Sequence, residues 1–421
     1  MNRIIILLLS LFFINNCSFN DSSRLWEDKE KNRENKKTVS ELNQKSILDL
    51  SKIIDNNKTA HNRNDYGSKE FSGSISKIDS YKYKKFKDVD QLSYKPIFLE
   101  NGLIFFDQKG SIIRYDDKQK ILWKKNFYSK SEKKLSPKLN FLLDGENLIV
   151  TDSIAKYYSL NINTAKLNWS KKNTYPFNSE IKKDKNKIFA VDYNNTLRCF
   201  DIIDGSECWR LQTEDSFTLS SSKFSLIIIE DKVIFNNSIG DITAANIESG
   251  LIVWQLPTQS NDILKEVYNF KISKLVSEEE SIYFSNNKNE FYSVNAKTGI
   301  TNWTNEINSN LMPIILSNFI FSVSNEGYLY VIDKKKGNII KIIDLYKNYK
   351  DKQRKTVNPV GFKISKTNLY LTNSDGKMMV VNLEAGKVVD TVKISRNYIS
   401  EPFIFNKNLY IIKNGSIVAY N

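Results

Sequence analysis

One short pattern is written five times along this chain and limits what it can fold into. FYSVNAKTGITNW ends at Trp303, GDITAANIESGLIVW at Trp254, NTLRCFDIIDGSECW at Trp209 and AKYYSLNINTAKLNW at Trp169; GSIIRYDDKQKILW, one residue shorter, ends at Trp123. Five of the six tryptophans stand at this one place. Each copy is an apolar stretch closed by Asp or Asn, a tight turn, and a second stretch that carries the Trp. The closing residues are Asp116, Asn161, Asp201, Asn246, Asn295, Asp333, Asn382 and Asn421, 38 to 49 residues apart. A repeat of that length with several strands per unit marks a β-propeller.

Each part of the pattern has a physical role. The Asp or Asn caps the strand end by accepting from the backbone two residues on. Glycine four residues later (Gly205, Gly250, Gly299, Gly337 and Gly386) allows the positive φ of a short hairpin loop. Trp puts a rigid apolar plate where the neighbouring blade can receive it. In the last two full copies Lys341 and Asp390 take its place. The stretch before the closing residue, such as Leu329–Ile332 or Met378–Val381, is apolar on both faces, as expected of a strand enclosed between two blades.

The repeats occupy residues 71–421 as one all-β domain. Seven copies are complete, and Pro96–Phe127 is one of them. The eighth starts at Glu401 and stops at Asn421, one strand short of a blade. An open blade would expose an unpaired edge, so the missing strand is expected from Ser74–Phe86. The expectation is an eight-bladed propeller of four-stranded antiparallel blades, closed by an N-terminal strand. Seven blades is the alternative, should the first and last copies merge.

Ahead of the propeller, residues 1–17 (MNRIIILLLSLFFINNC) pair one Arg with an apolar run from Ile4 to Ile14. Eleven residues are short for a bilayer span and suit a signal peptide. The ending Ile14–Cys17 resembles a bacterial lipobox, with Asn16 where that pattern prefers Ala or Gly. The resemblance implies lipidation of Cys17 and, with Ser18 next, an outer-membrane address. Residues 18–70 read as a polar tether. Asp28–Lys37 is a mixed charge run, and Leu42, Ile47, Leu50 and Ile54 form a weak helical stripe.

Catalytic chemistry finds little to use. The single histidine, His61, lies in the tether, which leaves no Ser-His-Asp or Cys-His constellation and no histidine metal cluster. The closing Asp and Asn residues fall one per blade, so they cannot converge on one ion. No catalytic, cofactor or metal residue is assigned. Besides Cys17, the cysteines are Cys199 and Cys208, which flank one hairpin; a regular ladder would place them face to face and permit a disulfide. The net charge of +14 invites a nucleic-acid reading. However, the lysines are scattered through loops without interleaved aromatics, and export argues against it, so no nucleic-acid partner is expected. Weak attraction to anionic lipid is compatible with the charge.

The Asn-x-x-x-Gly-x-x-x-Trp pattern, closest in Asn295–Trp303, resembles the tryptophan-docking motif of PQQ-type propellers. In length, lipobox, blade number and lack of catalytic groups the chain resembles the BamB family of outer-membrane assembly lipoproteins. That resemblance implies a non-enzymatic periplasmic scaffold, a monomer within a complex. It would bind the POTRA domains of the central barrel component and assist insertion of outer-membrane proteins. It also implies a partner contact near Phe217–Ser220, with Leu219 as the apolar residue and Ser220 where the family has Arg. The quinoprotein dehydrogenases share the fold, but they are longer and use adjacent cysteines, a Trp floor and a calcium site; here no two cysteines are adjacent and five tryptophans serve docking. An envelope polymer-binding propeller, with Tyr-rich loops such as Tyr346–Tyr349, is a further alternative.

Overall fold

The structure, a computed structural model, describes residues 39–43, 48, 71, 75–87, 89–214, 222–258 and 270–421. Cys17, His61, Leu219 and the tether residues Ile47, Leu50 and Ile54 lie outside them. Eight four-stranded antiparallel sheets follow one another, and we number them blades 1 to 8. Blade 5 shows the plan: Val276–Glu278, Ser281–Ser285, Phe291–Asn295 and Thr301–Asn305, each paired with the next. The first strands of the other blades begin at Ile97, Leu139, Lys182, Leu226, Ile314, Pro359 and Ile399.

The core lies between blades. Ile227, Ile234 and Ala244 of blade 4 pack with Ile282, Phe284 and Val294 of blade 5, all fully buried. The third strands are enclosed on both faces, as Leu329, Tyr330, Val331 and Ile332 show.

The ring closes with a strand from the start of the domain. Lys77–Lys82 becomes the outermost strand of blade 8, with Tyr81 opposite Ile417 and Lys82 opposite Ser416. The pairing continues past both ends: Ser76 and Asn421 exchange backbone bonds of 3.1 and 3.0 Å, and the Tyr83 N–H donates to the Gly415 carbonyl. This settles eight blades over seven.

Part of the stretch expected as a solvated tether is instead fastened to the propeller. Leu42, expected on a helical stripe, makes a strand bridge with Ile342 on the outer strand of blade 6; their backbones exchange bonds of 3.2 and 3.1 Å. Leu48 is buried among residues of blades 6 and 7. Phe71 is fully buried between blades 7 and 8, edge-on to Tyr370, and its carbonyl accepts from the Ser365 hydroxyl at 2.7 Å. Leu42 and Leu48 belong to the stretch expected as a tether, whereas Phe71 opens the stretch expected in the propeller.

Candidate functional site

Each repeat builds one joint. The Asn295 side-chain oxygen accepts from the Lys297 and Thr298 N–H groups at 2.9 and 3.0 Å, which fixes the turn. Gly299 follows at φ +74°, and the Trp254 ring of the preceding blade lies so close that a Cβ at Gly299 would meet Cδ2 at 2.7 Å. The Trp254 indole N–H donates to the Ala296 carbonyl at 3.0 Å. Thus glycine serves two needs here, the positive φ and the space under the ring. The same indole bond runs from Trp123 to Ile162, Trp169 to Ile202, Trp209 to Ile247 and Trp303 to Lys334. All five tryptophans are therefore turned away from the propeller axis, into joints with the following blade.

A bulge precedes every one of these tryptophans and corrects the cysteine geometry. In blade 3 the register passes from Cys199↔Trp209 to Phe200↔Glu207, so Cys208 is the extra residue and Trp209 stands opposite Cys199. The two cysteines are free thiols, Cys199 buried and Cys208 exposed, not the cross-strand disulfide expected from a regular ladder. They take the place of a polar pair in other blades: the bulged Asn168 donates to Ser159 and the bulged Asn302 to Ser293. Burial pushes the Cys199 thiol up, and the neighbouring Cys208 adds to it, which makes Cys199 a poor nucleophile.

The concentration of charge that sequence reading missed lies on the axis. Glu180 of blade 3 receives Lys95 ahead of blade 1 at 3.0 Å, Lys182 of its own blade at 3.6 Å and Lys274 ahead of blade 5 at 2.7 Å. Side chains of blades 1, 3 and 5 can meet only across the centre of the ring. Lys274 also reaches Glu401 of blade 8 at 3.8 Å, and Lys363 of blade 7 lies 3.6 Å from Glu401. Lys223, ahead of blade 4, donates to Asn140 of blade 2 at 3.3 Å and stands 3.0 Å above the centre of the Tyr94 ring. A serine clamp aims three of these side chains inward. Ser179, Ser273 and Ser400 each donate to the carbonyl of the next residue (Glu180, Lys274 and Glu401) and accept from Val191, Ser285 and Ile412 on the adjoining strand.

The electrostatics follow from crowding. Burial pushes the Glu180 carboxyl up, but Lys274, Lys95 and Lys182 outweigh it and hold it well below the usual range. Glu401 responds likewise: burial opposes ionisation, Lys274, Lys363 and Lys95 favour it, and its pKa is brought down to about 2. Burial holds Lys223 well below an ordinary ammonium. Beside this cluster is a cavity of about 110 Å³ lined by Lys274, Glu401, Asn310, Met312, Gly361 and Phe362, among others.

The family model described as "Outer membrane protein assembly factor BamB" matches residues 108–343, more than half the chain. Among solved structures, BamB from Moraxella catarrhalis is 15% identical; the match covers 83% of this chain and 100% of that one with a TM-score of 0.68. The computationally designed Ika8 protein is 12% identical over 85% and 99%, with a TM-score of 0.61. The quinohemoprotein alcohol dehydrogenase ADHIIG from Pseudomonas putida HK5 is 10% identical over 85% and 78%, also at 0.61. At such identities the structures share the fold. Among the curated proteins no relative matches.

The quinone cofactor suggested by the last of these does not fit the residues present. The five docking tryptophans are spent in blade joints, so none of them floors the channel. Both axial carboxylates are held by lysines, and no group of three or more His, Cys, Asp or Glu among the described residues could hold a metal ion.

Proposed function

We propose, from the fact that this chain belongs to the BamB family of outer membrane protein assembly factors, that it is a non-enzymatic scaffold in the assembly of outer-membrane β-barrels. It binds the POTRA domains of the central barrel component and assists insertion of its clients. Lipidation of Cys17 tethers it to the periplasmic face of the outer membrane. The family match over residues 108–343 carries this reading. A further observation supports it. Ile203, Leu251 and Ile300 are about two-thirds exposed at the corresponding turns of blades 3, 4 and 5, a run of apolar positions on neighbouring blades that suits a protein partner. Leu219, which falls in the sequence between blades 3 and 4, is the proposed apolar contact.

The test is recovery of the full-length chain from a detergent extract of its native envelope. Co-recovery of a POTRA-bearing barrel protein, reduced by Leu219→Asp, is expected. Recovery of the folded chain without any such protein overturns the scaffold reading.

A further inference from the structure

The two ends of the ring differ in charge. Each blade is left by its fourth strand and the next is entered by its first, so every connection between blades lies at the same end as the turns between second and third strands. Around blades 8, 1 and 2 that end is basic. The connection from the closing strand to blade 1 contains Tyr81–Lys87, in which Tyr81, Tyr83 and Phe86 are buried while Lys82, Lys84, Lys85 and Lys87 are exposed. The aromatics pack into the core, the Tyr83 hydroxyl donates to the Lys413 carbonyl at 2.8 Å, and the Phe86 N–H donates to the Asn414 side chain at 2.8 Å. The lysines are thus held in a fixed row beside a turn of blade 8. The connection from blade 1 to blade 2 continues the surface: Lys130 and Lys134 are exposed, and Leu135 is 65% exposed at the end of the short helical turn Glu132–Leu135. The acids at this end have partners. Asp107 pairs with Lys124 at 2.6 Å, Glu132 accepts from the Ser129 N–H at 2.8 Å and pairs with Lys156 at 3.4 Å, and Asp90 lies 3.9 Å from Lys138. At the opposite end of blades 1 and 2 the turns mix Asp116, Asp117, Asp144 and Glu146 with Lys118, Lys120 and Lys166.

We infer that this end of the ring, from blade 8 to blade 2, docks on a bilayer surface that bears anionic phospholipid. Ammonium groups on flexible stems suit a plane of phosphates, to which clustered lysines are drawn by the negative surface potential. Leu135 gives the direction toward lipid. An exposed apolar side chain beside Lys133 and Lys134 enters the headgroup layer while the lysine stems lie along it and keep their charges in water. Nucleic acid fits less well. Tyr81, Tyr83 and Phe86 do interleave with lysines in this segment, but their burial removes them as platforms on which bases stack. Charge alone would also suit an acidic polypeptide, and the experiment separates that occupant from lipid. The inference rests on this end of the ring and not on the scaffold role or on lipidation.

The experiment measures co-sedimentation of the full-length chain with vesicles of phosphatidylcholine alone and of phosphatidylcholine mixed with phosphatidylglycerol. The apolar run Ile4–Ile14 contributes to both, so the ratio of the two affinities reads the basic end. A preference of at least about tenfold for the mixed vesicles is expected at low salt, shrinking as ionic strength rises, because each lysine near an anionic surface is worth roughly fivefold. The triple variant Lys84→Glu, Lys85→Glu, Lys87→Glu should reduce that preference about tenfold. The triple variant Lys118→Glu, Lys120→Glu, Lys166→Glu, an equal change of net charge at the opposite end, should leave it within about twofold. Both change exposed side chains and should melt with the parent. In Leu135→Trp, brominated phospholipid should quench fluorescence beyond the quenching seen in the parent. A parent without preference for the mixed vesicles, or equal losses in the two triple variants, overturns the inference. No lipid preference together with capture on immobilised polyglutamate that the first variant loses assigns the surface to an acidic polypeptide, and overturns it likewise.

Discussion

Blades 1 to 5 and blades 6 to 8 solve the same problem by different means. In the first group each blade sends a Trp into a joint on the next, where the ring sits on the turn and the indole bonds a carbonyl. In the second group the Trp is gone. Lys341 is buried in its place in blade 6, and Asp390 stands there in blade 7. The junctions without Trp are where the N-terminal stretch is fastened: Leu42 on blade 6, Leu48 between blades 6 and 7, Phe71 between blades 7 and 8. The last junction, from blade 8 to blade 1, is closed by Lys77–Lys82, whose Tyr81 meets Tyr115 edge-on. Local joints thus hold one side of the ring, and a chain-spanning strap holds the other. Contacts between residues so distant in sequence carry a larger loop-closure entropy cost than the local Trp joints do.

The largest effect should come from Trp254→Ala. The ring is 8% exposed and joins blade 4 to blade 5, and its loss should cost about 3–5 kcal/mol in denaturant unfolding. Phe71→Ala tests the other side. It should cost about 3 kcal/mol and act on the same global transition, although it lies outside every repeat. If Phe71→Ala leaves stability unchanged, the strap is ornament and the comparison breaks.

Gly299→Ala sharpens the account of the Trp joint and should cost about 1–3 kcal/mol, from overpacking together with a positive φ. In the Trp254→Ala background the overpacking part should vanish, so a double-mutant cycle reads a coupling of about 1 kcal/mol or more. Strict additivity would show that the ring and the turn do not share a joint.

Two further effects depend on pH and have opposite signs. Glu401 is lowered from its ordinary 4.5 to about 2, so its contribution is present above 4.5 and is lost as pH falls toward 2. Asp152, buried beneath the Tyr128 hydroxyl at 2.6 Å, is raised from 3.8 to about 6 by desolvation. It favours the folded state as pH falls from 6 to 3.8 and loses that contribution as pH rises. Melts across pH 2–7 should therefore show a shallower acid-side fall in Glu401→Gln, with Glu180 supplying the remainder, and a weaker decline toward neutrality in Asp152→Asn.

What the sequence made legible was whatever repeats. Asn295, Gly299 and Trp303 recur at fixed spacing, and from them come the blade, the blade count and the need for a closing strand. The cysteine register was misread because a bulge adds one residue before each Trp, and a spacing taken from regular ladders cannot register it. Leu42 was misread because its weak helical spacing with Ile47, Leu50 and Ile54 suggested a helix, whereas its backbone pairs with Ile342 as a strand bridge. The axial cluster escaped because Lys95, Glu180, Lys223, Lys274, Lys363 and Glu401 lie 38 to 89 residues apart, and each alone looks like one more surface charge in a basic chain. A signal was available in the serine-charge pairs Ser179–Glu180, Ser273–Lys274 and Ser400–Glu401, which stand twelve residues before Val191, Ser285 and Ile412.

The most direct measurement is a calorimetric titration of the full-length chain with the purified POTRA domains of its own organism's barrel-assembly protein. The account predicts saturable one-to-one binding that Leu219→Asp weakens at least tenfold while the melting curve stays unchanged. Absence of binding by a chain whose melt shows it folded would contradict the scaffold role and leave a propeller with a different task in the envelope.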